Sequence, residues 1–236
     1  MADQRVGEPV PNWVVPARPP RQVMRGRLCS LEPLDRARHG RQLWNAFSLD
    51  AEQRSWTYLS QGPYESFDAF DEWIERVQAA DDPLFFAITV APHGAVGVAA
   101  YLRITPDAGT IEVGHIHMSP LLQRTAAATE AMYLMMREAF ALGYRRYEWK
   151  CDSLNAASRA AAERLGFTFE GIFRQALVYK GRNRDTAWFS IIDREWPALR
   201  DAYEQWLAPA NFDAAGRQRA RLSELVSSAR MARNRA

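Results

Sequence analysis

Residues 111–167 constrain this chain more than any other part of it. The run reads as strand, small-residue turn, long apolar helix, strand and short capped helix. At its centre, Leu121-Leu122-Gln123-Arg124-Thr125-Ala126-Ala127-Ala128-Thr129-Glu130-Ala131, a strand gives way to a helix among very small side chains. A helix N-terminus presents N–H groups with no intrahelical acceptor, and the positive end of the helix dipole. Together these hold anions such as a pyrophosphate. Small side chains let such a ligand reach the backbone, so this turn is the first candidate for a cofactor site.

The surrounding chain of 236 residues, 47% hydrophobic with eight Trp and eleven Phe, is long enough to bury the core of one large domain. A net charge of +2 gives the whole molecule no strong pull toward nucleic acid or membranes. Its cations are arginines except for Lys150 and Lys180, a pattern read as coding bias. Cys29 and Cys151 make no disulfide framework. No apolar run has membrane-spanning length and the start carries no signal-peptide pattern, so a reducing cytoplasm is the expected location and no membrane partner is expected.

Three regions are expected. Residues 1–21 carry five prolines and read as an extended arm, with Trp13, Val14 and Val15 to anchor it on the domain or on a partner chain. Residues 22–208 read as one domain. It begins with a short strand stopped by Pro33 and a helix capped by Asp35. An aromatic-rich helical region follows over 55–80, capped by Ser66 or Asp68, whose rings are core or the wall of a cleft. Strands over 84–90, 95–104 and 110–118, joined by short turns, argue for antiparallel pairing. The helix over 126–142 is polar only along Glu130, Arg137 and Glu138, and Gly143 ends it. A strand over 146–151, a helix over 155–165, a hairpin around Lys180-Gly181-Arg182-Asn183 and a helix over 195–207 complete the domain. Residues 209–236 form a basic, helical tail with a balance of +4 from Phe212 onward. Its apolar face, Leu222, Leu225, Val226 and Ala229, suits a solvated helix, a homodimer contact or an anionic partner such as ribosomal RNA.

Read in order, Ile111-Glu112-Val113-Gly114-His115, the run from Gln123 to Ala131, Asn155-Ala156-Ala157-Ser158, Leu165-Gly166-Phe167, Glu170-Gly171, Arg174 and Gly181 form a pattern. In it the chain resembles the Gcn5-related N-acetyltransferases (GNAT), and within them the RimJ/RimL-type ribosomal-protein N-terminal acetyltransferases, over most of its length. The resemblance implies an α/β (α+β) fold: a twisted, mixed, mostly antiparallel sheet of about seven strands flanked by helices and splayed between the fourth and fifth. It implies acetyl-CoA as cosubstrate, without a metal, lying in that splay. The family's pyrophosphate loop falls on Gln123, Arg124, Thr125, Ala126, Ala127 and Ala128, with Thr129 beside it. Ala126 replaces the middle glycine, which is tolerable if the backbone keeps φ negative there. By the same resemblance Asn155 contacts the pantetheine arm and Ser158 lies near the thioester sulfur. The backbone at His117 and Met118 polarises the carbonyl, and Glu112 draws a proton through water. Asn155 with Ser158 at N3, and Gly166 as a stop, also explain that helix without any function.

The family's Tyr acid is absent, because Ala162 stands at its position, and Ser158 is the expected substitute. His115 and His117 share one strand face and Glu112 the other, unless Gly114 marks a bulge, as the resemblance suggests. An α-amine of pKa ~7.7–8.0 is roughly a tenth to a sixth neutral at pH 7, and a lysine amine of ~10.4 well under a thousandth. A site without a strong base therefore suits an α-amine of a peptide, or another weakly basic amine, as acceptor. No metal-ligand spacing, dinucleotide fingerprint or Walker loop is present, and Cys151 reads as a core filler. The rival readings are a non-catalytic acyl-CoA sensor or scaffold, and a ribosome- or RNA-associated protein acting through the basic tail.

Overall fold

The computed structural model describes residues 4–233, with side chains to Met231. Residues 1–3 of the arm and 234–236 of the tail lie outside the described residues. Eight strands form one sheet: β1 (Met24–Arg25), β2 (Ser30–Pro33), β3 (Leu84–Val90), β4 (Gly94–Thr105), β5 (Thr110–Met118), β6 (Arg146–Asp152), β7 (Thr168–Tyr179) and β8 (Arg182–Ile192). Their spatial order is β1-β2-β3-β4-β5-β6-β8-β7. Every pairing is antiparallel except β5 with β6, which run parallel.

The count is eight, not about seven, because the two-residue β1 adds an edge strand. The splay between expected strands four and five is therefore the gap between β5 and β6. Gly26 N–H closes a tight turn on Cys29 O at 2.9 Å between β1 and β2. That turn aims the N–H groups of Arg27, Leu28 and Cys29 at the Glu130 carboxylate, at 2.9, 2.6 and 2.9 Å. Glu130, expected on a polar stripe, is thus buried.

Side-chain alternation divides the two cores. Phe85, Ala87, Val98 and Ala100 face α1 (Arg36–Phe47) and α2 (Phe67–Val77). Phe86, Tyr101, Tyr147 and Phe189 face α3 (Ala126–Ala141), α4 (Ala156–Arg164) and α5 (Trp196–Leu207). Asp35 caps α1 through Arg38 N–H at 2.7 Å, and Ser66 rather than Asp68 caps α2. Gly143 and Gly166, both at φ +95, end α3 and α4.

The tail helix α6 (Leu222–Arg233) lies on its own domain. Leu222 and Val226 are buried, Leu225 packs against the core, and Arg230 Nη2 donates to Gly166 O. The arm is likewise held in cis: Pro16 and Pro19 are buried, and Arg21 donates to Gln78 O and Ala80 O. Among the described residues no helix is long and apolar enough to cross a membrane.

Candidate active site

β5 and β6 pair only from Thr110–Arg146 to Val113–Trp149, after which the strands part. Residues 114–118 and 150–152 therefore border an open gap, and the chain leaving β5 turns into α3 at its mouth. Ser119 N–H donates to Val96 O at 3.0 Å, toward β4. By strand alternation the His117 N–H also points to β4 and the Met118 N–H into the gap. Gln123 Nε2 donates to Met118 O at 2.8 Å and fixes the end of that strand.

Thr125 caps α3, accepting Ala128 N–H on its hydroxyl at 3.1 Å. The N–H groups of Ala126 and Ala127 remain as first-turn donors at the positive end of the helix. Ala126 is the first residue of the helix, and its φ is negative. The positive φ of this loop, +60, falls instead on Arg124. An alanine thus fits where the family pattern has glycine. Thr129, one turn in, is buried and accepts from Arg164 Nη1 at 3.3 Å.

On the α3/α4 side of the gap, Asn155 caps α4 by accepting Ser158 N–H at 3.0 Å. Ser158 Oγ accepts Trp149 Nε1–H at 3.0 Å, so its hydroxyl proton is the one to be donated, with the Cys151 sulfur beside it. Burial pushes the Cys151 thiol up, and the adjacent Ser158 hydroxyl partly offsets this. Cys151 is a buried filler of this wall, not a nucleophile.

The opposite face of the gap holds the charged groups. Val98 pairs with His117 and Ala100 with Gly114, so β5 carries one extra residue, and His115 sits at φ +49. This is a β-bulge, and it returns His117 to the face that carries Glu112. Glu112 Oε2 receives Arg103 Nη1 at 2.8 Å and Lys150 Nζ at 2.9 Å. Lys150 Nζ also reaches Glu148 at 2.7 Å, and Glu148 receives Arg146 Nε at 2.7 Å. Burial raises the Glu112 carboxyl pKa against the pull of its two cations. At Glu148 the hydrogen bonds of Lys150 and Arg146 outweigh burial and lower it. Two carboxylates on one ammonium are thus driven apart in basicity, an arrangement that separates proton acceptors from fixed charges.

His117 Nε2 lies 2.9 Å from Ser55 Oγ, which lies 2.6 Å from Asp50 Oδ2. The Ser55 hydroxyl proton belongs to the carboxylate, so its oxygen accepts Nε2–H, and Nδ1 carries the lone pair. Nδ1 is buried and has no partner among the described residues. Phe47 stacks on the ring at 3.8 Å and Trp56 lies at 4.0 Å. Burial, resisted by Asp50, lowers the His117 pKa to about 3.

Segment 50–65 roofs this face, pinned by two further bonds, and a third holds the neighbouring hairpin to β6. Tyr58 Oη donates to Leu154 O at 3.2 Å, Lys180 Nζ to Trp56 O at 2.8 Å, and Tyr179 Oη on the hairpin to Asp152 Oδ2 at 2.8 Å. The aromatics of residues 55–80 therefore divide: Phe70, Trp73 and Trp56 are core, Trp56 against the His117 ring, while Tyr58 reaches Leu154 O at the gap.

Of the residues expected from the sequence, His117 and Met118 border the gap, Gln123 to Ala128 form the turn at its mouth, Asn155 and Ser158 stand on the α4 side, Glu112 lies on the opposite sheet face, and Thr129 is packed one turn behind the loop. The structure adds Asp50, Ser55, Lys150, Tyr179 and Lys180. A signal for two of these lay in the composition: the chain has only two lysines, and both border the gap.

The acetyltransferase (GNAT) domain family matches residues 30–168. The structure of a GCN5-related N-acetyltransferase from Brucella melitensis is 48% identical with a TM-score of 0.90, covering 92% of this chain and 100% of that one. A GNAT-family acetyltransferase structure from Chromobacterium violaceum is 43% identical with a TM-score of 0.77, covering 84% and 100%. The RimL ribosomal L7/L12 α-N-protein acetyltransferase is 20% identical with a TM-score of 0.63, covering 72% and 94%, a likeness of fold alone. No curated protein matches the chain.

Proposed function

The chain belongs to the GNAT family of acetyltransferases, and from that premise we propose that it transfers the acetyl group of acetyl-CoA to a primary amine. The acceptor on this reading is the N-terminal α-amine of a protein or peptide, as in the RimJ/RimL branch, or a small-molecule amine of similar basicity. The observation that carries the reading is the gap between β5 and β6 opening onto the N-terminus of α3.

Acetyl-CoA supplies an activated acyl group on a thiol leaving group, and the residues present suit it. The N–H groups of Ala126 and Ala127, with Gln123, Arg124, Thr125 and Ala128 around them, would hold the pyrophosphate. Asn155 would meet the pantetheine arm. Met118 N–H, directed into the gap, would polarise the thioester carbonyl. The Ser158 hydroxyl, its oxygen already bonded by Trp149 Nε1–H, would give its proton to the departing thiolate. Glu112, whose affinity for a proton burial raises, would draw the proton from the attacking amine through water. His117 Nδ1, which stays unprotonated at neutral pH, would accept an N–H from the neutral amine and orient it.

The test is a mass-resolved product assay with acetyl-CoA and a panel of peptides and small amines at pH 7. Acetylation of α-amines ahead of lysine side chains is expected. Thermal stabilisation by acetyl-CoA with no acetylated product would refute transfer.

A further inference from the structure

On β8, Arg184, Thr186 and Trp188 occupy alternate positions and share one sheet face, while Ala187, Phe189 and Ile191 point into the α3/α5 core. Each of the three carries a buried polar atom with no hydrogen-bond partner among the described residues: Arg184 Nε, Thr186 Oγ1 and Trp188 Nε1. Buried polar atoms are almost always paired, so three in a row at i, i+2 and i+4 mark a face that lacks its complement. Their register ties them to the site: Thr186 lies opposite Asp152 and Trp188 opposite Lys150, on the strand that borders the gap.

The nearby carboxylates do not meet the need. Asp152 is taken by Tyr179 Oη and Leu154 N–H, and Glu112 and Glu148 are held by Lys150. Arginine Nε and indole Nε1 are donors only, and a threonine hydroxyl donates or accepts. The missing partner is therefore an oxygen acceptor. The walls are aromatic and cationic, with Phe173 stacked on Trp188 at 4.4 Å and Lys150 Nζ 3.7 Å from the Trp188 ring centre.

We infer that this face of β8 binds a carbonyl or carboxylate oxygen of the acceptor at a distance from its reacting amine, an inference that rests on the acetyl-transfer reading. β8 stands one strand beyond β6 and the gap lies on the far side of β6, so that oxygen sits roughly 10 Å from the amine. An extended acceptor reaches this far with its second or third carbonyl, at about 3.4 Å per residue. A compact or purely hydrocarbon amine leaves the three donors unpaired. Thr186 and Trp188 thus set specificity and take no part in the bond-making step.

The probes are trialanine amide and alaninamide, two α-amines of similar basicity of which only the first carries a second and third carbonyl, compared by kcat/KM at saturating acetyl-CoA for the wild type, Thr186→Val and Trp188→Phe. Valine keeps the branched shape, and phenylalanine keeps the stack on Phe173. The wild type should favour the peptide amide by about tenfold or more. Each variant should lose most of that preference through KM, with alaninamide turnover and acetyl-CoA affinity unchanged. Equal use of both amines by the wild type, or equal losses on both in the variants, would overturn the subsite and leave acetyl transfer standing. Turnover of neither amine while acetyl-CoA binds would sink transfer and the subsite together.

Discussion

His117 makes a pH-dependent contribution to stability whose size follows from its surroundings. Its folded-state pKa of about 3 lies below the ordinary imidazole value, because the ring is buried against Phe47 and Trp56. A group with a depressed folded pKa contributes stability that is complete above its unfolded pKa and is lost as pH falls toward its folded one. Between pH 8 and pH 5 the unfolded ring gains a proton that the folded ring refuses, which costs about 2 kcal/mol. The full loss, approached only below pH 3, is about 5 kcal/mol. The perturbation is His117→Phe, which retains an aromatic ring between Phe47 and Trp56. Other titrating groups contribute alike to both proteins, so the difference in acid sensitivity isolates His117. Urea unfolding at pH 8 and pH 5 should show the wild type losing about 2 kcal/mol more than the variant. Parallel losses in the two proteins would refute a buried, neutral imidazole.

Ser158→Ala should lower kcat by about 100-fold or more, the scale of a lost proton donor, with acetyl-CoA affinity unchanged in calorimetry. Glu130→Gln weakens a buried anchor for three N–H groups and should cost about 1–3 kcal/mol in urea unfolding without affecting the amine preference. Lys150→Met removes the buried cation that Glu112 and Glu148 share and leaves each with a single arginine, and should destabilise the fold by about 3 kcal/mol at pH 7, less so at pH 4. Ala126→Gly, which restores the family's glycine at a helical position with negative φ, should cost up to about 1 kcal/mol of stability. It should also leave the acetyl-CoA Kd within about twofold, since Ala126 already presents its N–H.

The helices and strands of the central stretch were legible because local chemistry marks their ends. Thr125, Asn155, Gly143 and Gly166 each satisfy a helix terminus through neighbours within a few residues. The bulge at His115 was legible only through Gly114, since alternation alone places His117 and Glu112 on opposite faces. Glu130 was misplaced because a glutamate on a helix reads as solvated, while its three N–H partners lie about 100 positions away. For the same reason the Asp50–Ser55–His117 relay was invisible: His117 and Ser55 are 62 positions apart and no periodicity links them. The apolar face of the tail helix was legible, but not its partner, because helical spacing identifies a buried stripe and not the surface that buries it.

The central claim is that the gap between β5 and β6 carries acetyl transfer to a neutral amine. The rate of CoA thiol release from acetyl-CoA, followed with and without a peptide amine across pH 6–9, tests it most directly. The account predicts release that requires the amine, rises with pH as the α-amine of pKa ~7.7–8.0 loses its proton, and falls sharply in Ser158→Ala. Release that is independent of the amine, or absent while acetyl-CoA binds, would contradict it.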